Sequence, residues 1–196
     1  MSETYISVDV ETGGPIPGPN SMLSLGAAAF VREGNDKKLL GTFSVNLDEL
    51  PGSAIDPVTK SEFWDKQPAA WAACRTGTKP PEEAIRAFLT WVASVSSKER
   101  PPVFVGYPAG FDFLFVYWYI VRLGFTSPFS FSALDIKTYV SAVLKKPYRQ
   151  SVKRNMPKHW FPDTAHTHVA VEDAVEQGEL FMNILIEHDD RSTTAT

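Results

Sequence analysis

The 196-residue chain has a single cysteine, Cys74. That count excludes an internal disulfide and a thiolate zinc site, and it suits a reducing cytoplasm. No apolar run approaches the roughly 18–20 residues of a membrane span. The longest candidate, FLFVYWYIV (113–121), reads as a buried helix. MSETYISVDV has neither the basic nor the long apolar region of a signal peptide, so none is expected. The most informative absence is local. No Lys, Arg or His occurs from Met1 to Val31, yet the run YISVDVET carries Asp9 and Glu11. Tyr5, Ile6 and Val8 read as a buried strand, and side chains two apart on a strand share a face, about 6–7 Å apart along the chain. Two like charges at the end of a buried strand require a cation. It comes either from a distant part of the chain or from outside the protein.

Composition is that of an ordinary globular chain, 43% hydrophobic and 21% charged, without repeats or low-complexity segments. One domain is expected over residues 1–188, with 189–196 as a flexible C-terminal tail. Net charge is −4, which argues against a generic nucleic-acid coat. The distribution says more. KKPYRQSVKRNMPK (145–158) holds six cations and no acid; the rest of the chain holds the other 13 of the 19 cations against 23 acids. An acidic body with one basic segment suits carboxylates that bind metal beside a strip for polyanions, and a solvated loop is the plainer reading.

Periodicity and turn residues predict three early strands, at Thr4–Val10, Met22–Val31 and Leu39–Leu47. Two short helices broken at Pro68 follow. A clearer helix opens at Pro80–Pro81, with Glu82 and Glu83 in its first turn. PPVFVGY (101–107) reads as a strand, Phe111–Leu123 as a helix, FSALDIKTYVSAVLKK as a brief strand into a helix, and about Thr167–Glu187 as the last helix. This order predicts an α/β fold with a mixed sheet flanked by helices.

Three further residues are candidates to join the acid pair. Asp112, the only charge between Arg100 and Arg122, opens the helix GFDFLFVYWYI. An acid in a first turn is ordinary, but flanking by Phe111 and Phe113 suggests a semi-buried carboxyl. In HTHVAVEDA, His168 leads Asp173 by five residues. Singly, each has an ordinary reading as a cap or surface residue.

Together, VDVETGG (Asp9, Glu11), GYPAGFD (Asp112) and HVAVEDA (His168, Asp173) resemble the DEDDh 3′→5′ exonuclease superfamily, of ribonuclease H-like fold. The resemblance spans about Tyr5 to Leu185. FWDKQPAAWA is more loosely similar to a bacterial exoribonuclease branch related to ribonuclease T. Many relatives carry His-Asn shortly before the middle Asp, where this chain has Tyr107 and Pro108.

The resemblance implies hydrolysis of phosphodiester bonds from single-stranded 3′ ends, releasing nucleoside 5′-monophosphates, with RNA favoured over DNA. Proofreading-type DNA exonuclease activity is the alternative. A non-catalytic binding module is another, though such a module should have lost one of the five residues. Two-metal phosphodiester hydrolysis suits Mg²⁺ or Mn²⁺, which favour oxygen ligands. By resemblance, Asp9, Glu11 and Asp173 hold the ion that activates water, and Asp9 and Asp112 hold the ion near the leaving group. His168 is the implied general base, because an imidazole titrates near working pH. His166 is its rival, without the family spacing to Asp173. Thr12 and Gly13 are candidates for the terminal sugar, and Lys153 and Arg154 for phosphates. Asp135 reads as a helix N-cap. Trp64, Trp71 and Trp91 read as core or interface. His159 and His188 read as loop or surface residues. A homodimer is compatible with all of this.

Overall fold

In the computed structural model, residues 2–163 and 168–193 are described, with side chains of the last helix described as far as Asp189. Strand β1 (Thr4–Thr12) lies at the centre of a five-stranded sheet ordered β3-β2-β1-β4-β5. It pairs antiparallel with β2 (Met22–Glu33), which pairs antiparallel with β3 (Asp36–Asn46). On its other side β1 runs parallel to β4 (Pro102–Gly106), and β4 runs parallel to the two-residue β5 (Leu134–Asp135). The mixed sheet is as predicted.

Helices α1 (Pro57–Glu62), α2 (Pro68–Cys74) and α3 (Pro81–Val95) carry the chain from β3 to β4. The break before Pro68 is a 3₁₀ turn at Trp64–Lys66. Helix α4 (Ala109–Arg122) follows β4, α5 (Ile136–Leu144) follows β5, and α6 (Ala170–Thr193) closes the fold. The carboxylate of Asp135 caps α5 at Thr138 N–H (2.7 Å) and also accepts from Ala109 N–H (2.9 Å), so it ties two helix starts together.

The alternation of β1 decides what meets the carboxylates. Ile6, Val8 and Val10 point into a core made with α3 and α4, where Phe88, Phe115 and Tyr119 are fully buried. Tyr5 and the residues two and four positions on face the other way, toward α6. That helix sits unusually close to the sheet. A Cβ on Gly178 would come within 2.3 Å of the Phe30 ring, and one on Gly26 within 2.1 Å of the Ala170 backbone. Gln177 Nε2 donates to the Val8 carbonyl at 2.6 Å beneath it.

The last helix runs from Ala170 to Thr193, beyond its expected end at Glu187. Arg32 on β2 pairs with Asp189, which binds the final turns to the sheet. The basic segment winds through 3₁₀ turns beside which Ser151 and Met156 are buried, while Lys145, Lys146, Arg149, Arg154 and Lys158 are exposed.

Candidate active site

The site forms where β1 ends and two helices begin. Asp9 pairs across the ladder with Gly26, and a β-bulge falls between Glu11 and Thr12, where the strand changes register against β2. Such bulges redirect side chains at the end of a ladder. Asp112 lies in the first turn of α4 and Asp173 in the first turn of α6. Both helix N-termini place positive dipole ends beside the carboxylates.

Asp112 is buried, and its Oδ1 accepts from the Val10 N–H at 3.2 Å, which fixes it beside Asp9. Gly106 makes room for it: a Cβ there would come within 3.3 Å of Asp112 Oδ2 and 2.9 Å of Ala109 Cα. Single ligand-type atoms of Glu11, His168 and Asp173 all lie within 4.8 Å of one another. Beside them is a cavity of about 90 Å³, lined in part by Glu11, Ser24, Asn46, Cys74 and His168. It has room for a few waters.

His168 stands two residues before α6, not inside it as predicted, and holds a left-handed backbone with φ of 56°. For a residue other than glycine this conformation is uncommon and concentrates at functional sites. Its ring meets Phe63 edge-on, with centroids 5.2 Å apart. The neighbouring Trp64 is buried, and its indole N–H donates to the Thr12 carbonyl at 3.0 Å. One dipeptide thus supports both the imidazole and the end of β1. The sequence reads Trp64 as core or interface and does not single out Phe63; the similarity of FWDKQPAAWA to an exoribonuclease branch is the available clue.

Electrostatics match the geometry. Burial, then Asp173 and Asp112, push Glu11 up to about 8. Burial pushes Asp112 up to about 7 against the Val10 hydrogen bond. Asp9 is raised well above the usual carboxylate range, chiefly by burial, then by Asp112, Glu11 and Asp173, while Lys153 acts in the opposite direction. Four clustered carboxyl groups with only oxygen donors to offer fit hard divalent cations such as Mg²⁺ or Mn²⁺.

Other candidates fall differently. Thr12 is buried with its hydroxyl donating to Gly14 O at 2.9 Å. Gly13 N–H donates to Ser21 O (2.8 Å) and its carbonyl accepts from Asp56 N–H (2.7 Å). These contacts hold the turn after β1. Lys153 pairs with the buried Glu176 at 3.1 Å, one turn along α6 from Asp173, and Arg154 on the same turn is exposed. Cys74 is buried and its thiol is pushed up to about 11, which leaves little thiolate for catalysis. His159, exposed, pairs with Glu187 at 2.7 Å, and His188 Nδ1 lies 3.0 Å from Tyr139 Oη. His166 lies outside the described residues. Among them, no helix is long and apolar enough to cross a membrane.

Residues 4–185 match the Rv2179c-like 3′–5′ exoribonuclease domain. The chain belongs to this family. This Rv2179c-like domain is 33% identical over 193 residues to the 3′-5′ DNA exonuclease Cap18 of Escherichia coli, covering 91% of the chain and 90% of the relative. The nuclease domain of 3′hExo, a DEDDh family member bound to rAMP, superposes with a TM-score of 0.70 at 10% identity, over 95% of this chain and 93% of that one. S. pombe Pop2p in its Mg²⁺- and Mn²⁺-bound form gives 0.62 at 15% identity, over 98% and 85%. The superpositions show that this 3′–5′ exoribonuclease-family domain shares the fold of these solved proteins.

Proposed function

We propose that the chain hydrolyses phosphodiester bonds one nucleotide at a time from the 3′ end of single-stranded RNA and releases nucleoside 5′-monophosphates. The observation that carries this reading is the convergence of Asp9, Glu11, Asp112, His168 and Asp173 at one half-buried cluster. Asp9, Glu11 and Asp173 would hold one divalent ion, and Asp9 with Asp112 a second. Such ions supply charge neutralisation at the attacking and leaving oxygens.

His168 accepts the proton of the attacking water as its oxygen bonds to phosphorus, and the 3′-oxygen of the next nucleotide leaves with the bonding pair. Phe63 and the left-handed backbone keep the imidazole at the edge of the carboxylates, beside Glu11 and Asp173. The helix ends of α4 and α6 favour the incoming phosphate. Arg154 is offered to phosphates further along the strand, and the turn at Thr12 and Gly13 borders the terminal sugar. A cytoplasmic location is consistent with the single cysteine.

A second reading, single-stranded DNA as substrate, is favoured by the 33% identity to a DNA exonuclease. The deciding experiment offers 5′-labelled and 3′-labelled RNA and DNA oligomers with Mg²⁺, Mn²⁺ or a chelator. Metal-dependent shortening from the 3′ end with release of 5′-monophosphates is expected, faster on RNA. Equal or faster loss of DNA would move the assignment to the second reading, and no cleavage of either would leave only a binding role.

A further inference from the structure

Lys153 projects from the basic segment and is held on two sides. Its backbone N–H donates to Tyr107 Oη at 3.1 Å, and its ammonium lies 3.1 Å from Glu176 Oε1 and 5.7 Å from the centre of the Tyr107 ring. Tyr107 follows β4 directly and leads into α4, which carries Asp112. Glu176 is one turn beyond Asp173 on α6. The ammonium is therefore held between the helix turn next to Asp173 and the residue that leads into the helix of Asp112, and its charge acts on Asp9. The Lys153 side chain is 34% exposed, whereas that of Glu176 is 9% exposed. The ammonium, partly open to solvent, has three donors to share.

The ammonium is a counter-charge for the buried Glu176 carboxylate, and that pairing fixes where it lies. A compact cation on a flexible stem, beside the point where a phosphate must meet four carboxylates, suits recognition of that phosphate. We propose that Lys153 is a catalytic residue of the exonuclease reaction, its ammonium hydrogen-bonding a non-bridging oxygen of the phosphate being cleaved. Glu176 and Tyr107 are its positioning residues. This assignment rests on the exonuclease reading and separates Lys153 from Arg154, with which the sequence grouped it as a phosphate contact. Charge developing on phosphate in the transition state is stabilised by a donor already in place, which acts on turnover more than on binding.

The test is hydrolysis of a dinucleotide, too short to engage a remote strip, by the metal-loaded enzyme. Lys153→Met should lower kcat by about 10²–10³-fold with a much smaller change in KM. Lys153→Arg should keep part of the rate, and ethylammonium should restore part of it to Lys153→Ala. Lys158→Ala, an exposed change on the same segment, should act as wild type. The metal-induced rise in melting temperature should persist in Lys153→Met, which separates lost chemistry from lost fold. Wild-type turnover by Lys153→Met, or a loss that neither arginine nor ethylammonium relieves, would show the pair to be a structural clamp and overturn the assignment. A wild-type protein that cleaves no oligonucleotide would overturn both this and the exonuclease reading.

Discussion

Gly26 and Ala170 are in near contact: a Cβ on Gly26 would lie 2.1 Å from the Ala170 carbonyl carbon. Gly26 is the cross-strand partner of Asp9, and Ala170 is the first residue of the helix that carries Asp173. One absent methyl group therefore sets the distance between two of the four carboxylates. Backbone cannot yield as a flexible side chain can, so Gly26→Ala must displace the start of α6. We expect it to cost about 1–3 kcal/mol in stability, the usual penalty for overpacking. Turnover should fall about 10²-fold further than the loss of folded protein explains, because small misplacements of catalytic groups are costly. Urea unfolding and kcat on the same preparation check this. A mutant that is destabilised but fully active per folded molecule would remove Gly26 from the site's geometry.

Metal binding should be visible without catalysis. Mn²⁺ or Mg²⁺ should raise the melting temperature by preferential binding to the folded state. Asp9→Asn should abolish most of that rise, since Asp9 is proposed to touch both ions. An undiminished rise would take Asp9 out of the ligand set.

The pH dependence of the metal-free protein follows from the raised carboxyls. Glu11 sits near 8 when folded against an ordinary 4.5, so the folded state binds the extra proton between those values. Stability from this source is full below about pH 4.5 and is lost as pH rises through about 8, because the unfolded chain releases its proton first. Asp112, raised to about 7, acts in the same sense over a lower window. Melting temperature in chelator should therefore fall from pH 5 to 8.5, and Glu11→Gln should flatten the fall. Saturating Mg²⁺ should reverse it, and a metal-free curve rising with pH would contradict the cluster's electrostatics.

His168→Asn keeps a residue that tolerates the left-handed backbone while removing the base. Turnover should drop about 10²–10⁴-fold, the range for a lost general base. The metal-induced rise in melting temperature should survive. Its disappearance would instead make His168 a ligand together with Glu11 and Asp173, its neighbours within 4.8 Å.

Arg154, exposed beside Lys153, should act on long substrates only through screened charge. Arg154→Ala should flatten the slope of log affinity against log salt by about 0.7, the contribution of one phosphate contact on a single strand. Filter binding with Ca²⁺ in place of Mg²⁺ measures it. A wild-type slope would leave Arg154 as solvated surface.

Several features of this protein were legible in the order of residues alone. Period-two and helical patterns are local, so the three early strands, the helix from Pro81 and the pairing of Asp9 with Glu11 on one face could be read without a fold. The lack of any cation before Arg32 posed the question that the site answers. Asp112, His168 and Asp173 were found through resemblance, because their spacing along the chain carries no distance in space. Tertiary packing decided the rest. Phe63 and Trp64 gain their roles only when a turn over a hundred residues before His168 folds back beneath it. Gly26 matters only because α6 lands on it. Lys153 and Arg154, adjacent and alike in charge, part company because the 3₁₀ turn that carries them directs one toward Glu176 and the other to solvent. Sequence pattern records which residues are alike; only the packed chain fixes which way each one faces, since burial and charge pairing depend on neighbours that the chain brings from afar.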